Sequence, residues 1–410
     1  MKILVLGKGV ANDGVIELLQ EENVEYDYLE INEVDSFDYS YVVKAPGIPY
    51  TAEVILEFIK RRIRVLTDIE LGMSLRKKLY IGVTGSNGKT TTVSLLQHIL
   101  SAQYSVVACG NIGYSFCRAL VEQKDAEIFI IEMSSFQLEN SKINPDISLF
   151  LNVHPCHLDH HQTFKDYVLS KANICINQSE NHLFIYPTDD AVIQSIVKQV
   201  QARTSSFSRN NPLADCYISS HQIYYKNHRI VKLSSSMEEK AFFVEDMMAA
   251  ISTSIQFKGI TPRIIQKQMK TFQEVEYRLT KLNDFIYNDA KSTNPYSTIA
   301  ALCCFSSVEL ICGGYDRKED LFCLKDSLSK LKRVYAYGQS KEKIKKFMDE
   351  NHVECFIFDS LDEAFYQAFK DRKDEIILFS PMFASFDLFK NYIERGAYFN
   401  KIVMNLLKSK

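Results

Sequence analysis

A glycine-rich segment in the first quarter of the chain carries residues suited to phosphate chemistry. The segment GSNGKTT, residues 85–91, follows a short apolar run and precedes a helical pattern. Gly85 and Gly88 allow a backbone without Cβ crowding, so successive N–H groups can converge on phosphate oxygens at the positive end of that helix. Lys89 would then reach the terminal phosphates, and the Thr90 hydroxyl would bind Mg2+. This order of residues predicts a nucleoside triphosphate site; the alternative is a turn that binds nothing.

A carboxylate stands at the end of an apolar run later in the same block. Glu132 opens the sequence EMSSFQ directly after residues 128–131. Because α/β folds place their ligands at the carboxyl ends of their strands, Glu132 would hold a magnesium ion that bridges to the nucleotide. A solvated strand end is the alternative.

A histidine-rich segment, NVHPCHLDHH, follows another apolar run and spans residues 152–161. Its composition suggests a zinc or transition-metal site. However, the segment lacks a second cluster at a recognised zinc spacing, and a phosphate enzyme favours a hard cation. We therefore predict a single functional histidine here.

Strands and helices alternate along the whole chain, which favours parallel sheets in an α/β fold. The first block resembles a small Rossmann-type unit with a glycine-bearing turn after KILVLG, although a turn without ligand is the alternative. The second block starts at the glycine-rich segment and ends in an antiparallel stretch, HQIYYKNHRIVKL. We predict three domains, at residues 1–78, 79–273 and 274–410. They are a Rossmann-like domain, a central P-loop ATPase-type domain with a mostly parallel sheet, and a second Rossmann-like domain.

Composition excludes several classes of function. The 410 residues are 46% hydrophobic and 24% charged, with a net charge of −3, and no stripe of basic residues indicates a nucleic-acid partner. No apolar run approaches the roughly 18 residues of a membrane span, so we expect a cytoplasmic protein without a membrane partner. The ten cysteines include no CxxC pair, which favours reduced thiols. We also expect a monomer.

Seven motifs together resemble the Mur ligase family of ATP-dependent amide ligases. They read GVTGSNGKTT, CGNIGYSF, IEMSSFQLEN, LNVHPCHLDHH, NDAKSTNP, GGYDRKEDL and FSPMFASFDLFKNYIERG. The glycine-rich loop has the family form TGxNGKT[TS], with Val83 where a generic P-loop has glycine. The segments SSFQLE, NDxKxTN and SPxxASFDxFKNxxxRG are similar to the D-glutamate-adding members in particular.

The resemblance implies a reaction and its small-molecule partners. ATP would phosphorylate the carboxylate of UDP-N-acetylmuramoyl-L-alanine, and the amine of D-glutamate would attack the acyl phosphate in peptidoglycan precursor synthesis. The first domain would bind the UDP end of the substrate, the second ATP, and the third the amino acid. Three alternatives stay open. One is another Mur-type or folylpolyglutamate-type ligase, and one is a non-catalytic Mur-like ATP-binding protein. A simple P-loop kinase or NTPase is a third.

The resemblance also implies roles for individual residues. The nucleotide would contact Gly85, Ser86, Asn87, Gly88, Lys89, Thr90, Thr91, Asp246, Arg278 and Asp289. Thr90 would bind a first Mg2+ ion, and Glu132 and His157 a second. Lys171 would carry a CO2-derived carbamate that also binds the second ion. A lysine in a low-dielectric cleft can present the neutral amine that CO2 requires. The catalytic group would be Lys89, Glu132, His157 and Lys171.

Substrate residues follow from the same resemblance. The UDP-muramoyl substrate would contact Gly9, Asn12, Gly47, Asn111, Ser134 and Gln137. The amino acid would contact Lys291, Thr293, Arg317, Ser385, Phe386 and Tyr392. Cations and hydroxyls in the second group suit a dicarboxylate, because charge-assisted hydrogen bonds to carboxylate are strong. Several positions depart from the family pattern. Asp246 stands where an asparagine is usual, and Tyr277 replaces a histidine. The first turn carries Lys8 and Ala11-Asn12 in place of a Ser-Gly-rich run.

Overall fold

The computed structural model describes residues 2–238, 240–273 and 275–408. The chain divides into two compact units. The first consists of the residues up to Val153 together with Lys165–Ser234 and Phe243–Phe272. The second consists of His154–Phe164, Ser235–Phe242 and the residues from Gln273 onward.

The first unit begins with a four-stranded parallel sheet in the order β2-β1-β3-β4. Its strands are β1 (Lys2–Leu6), β2 (Glu25–Leu29), β3 (Tyr41–Lys44) and β4 (Arg64–Leu66). Its helices are α1 (Val10–Glu21), α2 (Glu53–Lys60) and α3 (Asp68–Leu75), with a 3₁₀ turn at Ile31–Glu33. The central strand β1 is an apolar run buried on both faces, as a strand inside a parallel sheet requires.

A nine-stranded sheet forms the rest of this unit, in the order β13-β12-β11-β10-β9-β8-β5-β7-β6. Its strands are β5 (Leu79–Thr84), β6 (Val106–Gly110), β7 (Ile128–Glu132), β8 (Ile147–Phe150), β9 (Leu183–Pro187), β10 (Arg203–Ser208), β11 (Cys216–Ser219), β12 (Gln222–Tyr225) and β13 (His228–Lys232). Neighbours pair in parallel from β6 to β11, and β11, β12 and β13 pair antiparallel.

The helices between Lys89 and Thr271 follow these strands in chain order. They are α4 (Lys89–Leu100), α5 (Phe116–Glu122), α6 (Ser135–Leu138), α7 (Leu158–His161), α8 (Phe164–Ile176), α9 (Ala191–Val197), α10 (Ser235–Glu238), α11 (Ala241–Ser254) and α12 (Pro262–Thr271). Of these, α7 and α10 belong to the second unit.

The second unit is built on a six-stranded sheet in the order β14-β15-β19-β16-β17-β18, parallel except for the β14/β15 pair. Its strands are β14 (Thr280–Lys281), β15 (Ile286–Asn288), β16 (Val308–Gly313), β17 (Leu331–Tyr337), β18 (Cys355–Ile357) and β19 (Ile376–Met382). Its remaining helices are α13 (Pro295–Leu302), α14 (Lys341–Glu350), α15 (Leu361–Asp371) and α16 (Tyr392–Lys408), with a 3₁₀ helix at Phe322–Lys330.

The order of the nine strands determines where the first unit can hold a ligand. Strand β5 lies between β8 and β7, and the chain continues to β6 on one side and to β9 on the other. The carboxyl ends of β5, β7 and β8 therefore meet at one edge, at a point where the strand order reverses. Such a switch point opens a crevice for ligands in α/β sheets.

Contacts between α1 and α5 fix the four-stranded sheet onto the nine-stranded one. Gly14 lies against Ser115 and the backbone of Arg118, where a Cβ atom would overlap its neighbours. The Arg118 guanidinium donates to both carboxylate oxygens of Glu17, at 2.6 to 3.1 Å. These contacts make the first unit one compact body.

The predicted α/β class with mostly parallel sheets is confirmed, as is the antiparallel stretch, which forms β12 and β13. The boundaries at residues 78 and 273 stay a prediction. No helix in the described ranges has both the length and the apolar character needed to cross a bilayer.

Candidate active site

The glycine-rich loop lies between β5 and α4, at the switch point of the nine-stranded sheet. Gly88 has a φ of +85° and precedes Lys89, the first residue of α4. A Cβ atom at position 88 would overlap the carboxylate of Asp246, so both the backbone angle and the space require glycine. The loop therefore presents its backbone at the amino end of a helix, where N–H groups and the helix dipole favour anions.

The side chain of Asn152, just beyond β8, holds this loop in place. Its Oδ1 accepts from the backbone N–H of Asn87 at 2.9 Å, and its Nδ2 donates to the Asn87 carbonyl at 3.2 Å. The Asn152 carbonyl accepts from the Ser86 N–H at 2.9 Å, and the Ser86 and Tyr167 hydroxyls are 3.0 Å apart. Neighbouring elements thus preset the shape of the loop.

Two lysines converge on one backbone carbonyl in this loop. The Lys89 ammonium donates to the carbonyl oxygens of Gly85 at 2.8 Å and Ser86 at 3.1 Å. The Lys171 Nζ donates to the same Gly85 oxygen at 2.9 Å and to the Thr84 hydroxyl at 3.3 Å. Lys171 is 1% exposed, and its Nζ lies 4.8 Å from the centre of the Tyr167 ring. The Lys89 and Lys171 nitrogens are thereby held at one point of the loop, and the Lys89 ammonium would attract a polyphosphate there.

Glu132 ends β7 beside the loop and is buried. Its Oε2 accepts from the Thr90 hydroxyl at 2.7 Å, and its Oε1 accepts from the Asn111 amide at 3.1 Å. Three residues that lie far apart in the sequence are therefore in contact. The carboxylate and hydroxyl oxygens are hard ligands of the kind that Mg2+ prefers.

Asp246, on α11, contacts the end of the loop and the first turn of α4. It is buried, and its Oδ1 lies 3.4 Å from the Thr92 hydroxyl, which donates to it. The acid at this position therefore acts as an acceptor, a role for which an amide nitrogen is not needed. Thr91, predicted to contact the nucleotide, is buried in α4.

Ser134 and Gln137 form a capping box at the start of α6. Ser134 accepts from the Gln137 N–H at 3.2 Å, and the Gln137 Oε1 accepts from the Ser134 backbone N–H, also at 3.2 Å. The Gln137 amide nitrogen donates to Asp68 at 3.4 Å. These two predicted substrate residues are therefore joined to each other and to α3.

The predicted substrate residues that accompany the four-stranded sheet are Gly9 and Asn12, at the start of α1, and Gly47, in the turn after β3. Asn12 is fully buried, and its Nδ2 donates to the carbonyls of Leu6 at 3.0 Å and Gly7 at 2.7 Å. Asn12 therefore shapes the first turn through its side chain. Gly9 and Gly47 have no atoms within 4 Å of a hypothetical Cβ, so space is open beside each of them.

In the second unit, His157 precedes α7 with a left-handed φ of 56°. It lines a small cavity together with Tyr296 and Arg317. The ring of His154 stacks on Tyr296, with ring centres 4.7 Å apart. The segment with the predicted functional histidine is therefore packed against α13.

The predicted amino-acid residues of the second unit form two cation–aromatic pairs. The Lys291 ammonium lies 5.2 Å from the centre of the Tyr392 ring, and the Arg317 guanidinium lies 5.2 Å from that of Phe386. Cations held over ring faces keep a defined position. Ser385 is buried beside Phe386, and Thr293 is half-buried.

Arg395 supports these residues from the interior. It is fully buried, and burial lowers the pKa of its guanidinium. Its two terminal nitrogens donate to the carbonyls of Ala290 at 3.1 Å, Phe383 at 3.0 Å and Ala384 at 3.2 Å. Because Ala290 precedes Lys291 and Ala384 precedes Ser385, one buried side chain fixes the backbone at both positions.

Asp289 and Arg278, predicted to contact the nucleotide, interact electrostatically. Burial raises the pKa of Asp289 to about 6, against hydrogen bonds from Ser292 and Ser380 and the charge of Arg278. The Ser380 hydroxyl donates to Asp289 at 2.8 Å. The Arg278 guanidinium lies 5.0 Å from the centre of the Phe242 ring.

The sequence of this chain is similar to those of known proteins. The Mur ligase middle domain family matches residues 83–252, which include the loop, Glu132 and Lys171. The UDP-N-acetylmuramoylalanine--D-glutamate ligase of Bacillus cereus (strain G9842) is 34% identical over 378 residues, covering 90% of this chain and 84% of the relative. The chain belongs to the Mur ligase family.

Solved structures of Mur-type ligases share the fold. A pseudomurein peptide ligase type C from Methanothermus fervidus superposes with a TM-score of 0.65 at 14% identity, covering 99% of each chain. The MurF ligase from Thermotoga maritima in complex with ADP gives 0.62 at 16% identity, covering 99% of this chain and 94% of that one. The Mur ligase fold therefore extends through both units of this chain.

Sequence reasoning missed three residues that shape the sites of this Mur ligase. Asn152 and Tyr167 support the loop, and Arg395 supports the segments of Lys291 and Ser385. The position of Asn152 directly after an apolar strand was a usable signal, since strand ends of parallel sheets carry ligand-site residues. The sequence alone carried no comparable signal for the other two.

We predict that Lys89→Ala lowers nucleotide turnover at least ~10²-fold in this Mur ligase, the loss typical for removal of a catalytic electrostatic group. The side chain contacts loop carbonyls and fills no core position. Substrate-dependent phosphate release measures the effect, and circular dichroism checks the fold. Lys77→Ala, at an exposed position, is the control and should retain activity. Near-normal turnover in a folded Lys89→Ala variant would contradict the assignment of the loop.

Proposed function

We propose that this chain joins D-glutamate to UDP-N-acetylmuramoyl-L-alanine in an ATP-dependent reaction of peptidoglycan precursor synthesis. The printed activity of the 34% identical relatives supports the choice of substrates. The observation that carries the proposal is the convergence of Lys89 and Lys171 on Gly85, beside the pair of Thr90 and Glu132. This arrangement suits ATP phosphates.

The reaction forms an amide through an acyl phosphate. The carboxylate of the L-alanyl end attacks the γ-phosphorus of ATP, and ADP leaves. The amine of D-glutamate then attacks the acyl carbon, and the tetrahedral intermediate releases phosphate. Phosphoryl transfer depends mainly on positioning and electrostatic stabilisation, so a rigid loop with a fixed lysine accounts for much of the catalysis.

Magnesium ions fit the residues around the loop. Thr90 offers a hydroxyl oxygen and Glu132 a carboxylate oxygen beside the loop, and both are hard ligands of the kind that Mg2+ binds. We assign Thr90 to a first ion, and Glu132 and His157 to a second. When bound, the ions offset the negative charge of the reacting phosphate.

Lys171 would carry a carbamate that contributes an oxygen ligand to the second ion. Its burial favours the neutral amine that reacts with CO2. A carbamate nitrogen keeps one N–H, which can retain the hydrogen bond that now runs to the Gly85 carbonyl.

The remaining roles extend this proposal to the other substrates. Gly9, Asn12 and Gly47 bind the UDP end, and Asn111, Ser134 and Gln137 line the path of the muramoyl group. In the second unit, Arg278 and Asp289 contact the nucleotide. The amino acid is bound by Lys291, Thr293, Arg317, Ser385, Phe386 and Tyr392. We further propose a cytoplasmic monomer with domains at residues 1–78, 79–273 and 274–410.

The choice of amino acid is tested by phosphate release with UDP-N-acetylmuramoyl-L-alanine and a panel of amino acids. D-Glutamate should support turnover, whereas glycine, L-alanine and L-lysine should not. A site built for two carboxylates rejects analogues that leave its donors unpaired, by as much as ~10⁴-fold. Saturating L-alanine or L-lysine driving phosphate release as fast as D-glutamate would overturn the substrate assignment.

The carbamate is tested by Lys171→Ala, which should be nearly inactive because the anionic ligand is lost. Acetate or formate should partly restore turnover by filling the vacated position, and Lys89→Ala should gain nothing from either anion. Trapping with labelled CO2 gives an independent readout. An unmodified Lys171 in the active, Mg2+-bound enzyme would count against the proposal.

A further inference from the structure

A buried polar cluster lies where the four-stranded sheet of the first unit meets α6. Lys44, at the end of β3, is fully buried, and Asp68, at the start of α3, is 1% exposed. Gln137, on α6, is also buried and donates to Asp68. None of the roles assigned above uses Lys44 or Asp68.

The contacts of Gln137 fix the orientation of its amide. The Oε1 atom accepts from the backbone N–H of Ser134 at 3.2 Å and is 3.1 Å from the Ser134 hydroxyl. A backbone N–H can only donate, so the oxygen must face Ser134 and the nitrogen must face Asp68. The Asp68 Oδ2 accepts this N–H at 3.4 Å. Because the amide is planar, fixing its oxygen and one N–H also fixes the direction of its second N–H.

The burial of the Asp68 carboxylate at this place lowers the free energy of unfolding. Among the described residues, its Oδ1 is buried without a hydrogen-bond partner. Burial raises the pKa of its carboxyl to about 6, against the hydrogen bond from Gln137, the backbone N–H groups of Ile69 and of Asp68 itself, and the charge of Lys44. A buried carboxylate with one unsatisfied oxygen destabilises a fold unless it has another role. Residues that break a packing rule in this way tend to belong to functional sites.

Lys44 provides a buried positive charge near this carboxylate. Its Nζ donates to the Ile48 carbonyl at 2.9 Å and lies 4.7 Å from the centre of the Tyr50 ring. Burial lowers the pKa of Lys44 to about 8, and the charges of Glu139, Asp68 and Glu70 act in the opposite direction. The thiols of Cys109 and Cys117 also interact with Asp68, and burial raises the pKa of both, so they stay neutral.

We propose that Asp68 is a positioning residue for the muramoyl substrate, which it serves by holding the Gln137 amide with its nitrogen directed correctly. The inference rests on the proposed function, because Gln137 lines the substrate path there. Asp68 itself is too deeply buried to touch the substrate. The Ser134 N–H holds the oxygen end of the Gln137 amide, and the Asp68 carboxylate, which can only accept, holds the nitrogen end, so the amide is fixed at both ends.

The test compares Asp68→Asn with the wild-type chain in the phosphate-release assay at pH 7.5. The KM for UDP-N-acetylmuramoyl-L-alanine should rise about tenfold. The hydrogen bond that holds the Gln137 amide is then neutral, and a neutral bond is weaker than a charge-assisted one by about this factor. The KM values for ATP and D-glutamate should be unchanged, and kcat should change little. In a Gln137→Ala background, Asp68→Asn should add no further increase, because coupled residues are not additive.

A stability measurement separates positioning from a structural role. The raised pKa of Asp68 means that the native state binds the proton more tightly than the unfolded state. The carboxylate therefore lowers stability as pH rises from about 4 through about 6. Asp68→Asn removes this loss and should raise the melting temperature by about 2–4 °C at pH 7.5, with no gain near pH 4. A structural role predicts a lower melting temperature instead.

Glu70→Gln is the matched control on the same helix. Glu70 is buried and accepts the backbone N–H groups of Thr67 at 3.1 Å and Lys142 at 3.0 Å. Its replacement should lower the melting temperature and leave the KM for the muramoyl substrate unchanged.

The outcomes separate a failure of the positioning role from a failure of the proposed function. An active wild type with an unchanged KM in Asp68→Asn overturns the positioning role, as does an Asp68→Asn variant that melts lower or fails to fold. A wild type without D-glutamate-dependent phosphate release overturns the proposed function instead.

Discussion

The candidate site depends on the carbonyl oxygen of Gly85, which accepts hydrogen bonds from both Lys89 and Lys171. One backbone oxygen therefore positions the nitrogen atoms of two side chains that come from different helices. The loop must hold its shape for both contacts to form. Asn152 fixes it from the segment after β8, and Gly88 lies against Asp246 with no room for a side chain. These contacts prepare the loop for a polyphosphate.

The strand order of the nine-stranded sheet makes these contacts possible. Residues from β5, β7 and the segment after β8 meet because parallel strands end at one edge. Glu132 and Thr90, 42 positions apart, are joined by a hydrogen bond of 2.7 Å. The same principle operates in the second unit, where Arg395 binds carbonyls that follow β15 and β19. In both units, a polar side chain from outside the site segment fixes the backbone of that segment.

Much of the fold and part of the candidate site were predictable from the sequence. Apolar runs bounded by turn residues predict strands such as β1 and β9, and the glycines and Lys89 predict the phosphate-binding loop. The burial of Lys171 could be predicted only from the family resemblance, since an isolated lysine on a helix is usually exposed. The roles of the individual site residues stay predictions.

Long-range contacts account for what the sequence did not reveal. Gln137 and Asp68 lie 69 positions apart, and neither the pattern around TDIELG nor that around SSFQ indicates their pairing. The sequence around Arg395 predicts an exposed charged residue on a polar helix, yet its side chain is fully buried. Periodicity predicts which face of an element is apolar, but it does not predict which distant backbone a polar side chain will satisfy.

The central claim is that the site activates a substrate carboxylate by transferring phosphate to it. The most direct measurement uses UDP-N-acetylmuramoyl-L-alanine labelled with ¹⁸O in the alanyl carboxylate, with ATP and D-glutamate. Mass spectrometry of the released phosphate should find one oxygen derived from the substrate, because the acyl phosphate loses that oxygen when the amine displaces it. Phosphate that carries oxygen from solvent water instead would show simple ATP hydrolysis and contradict the account.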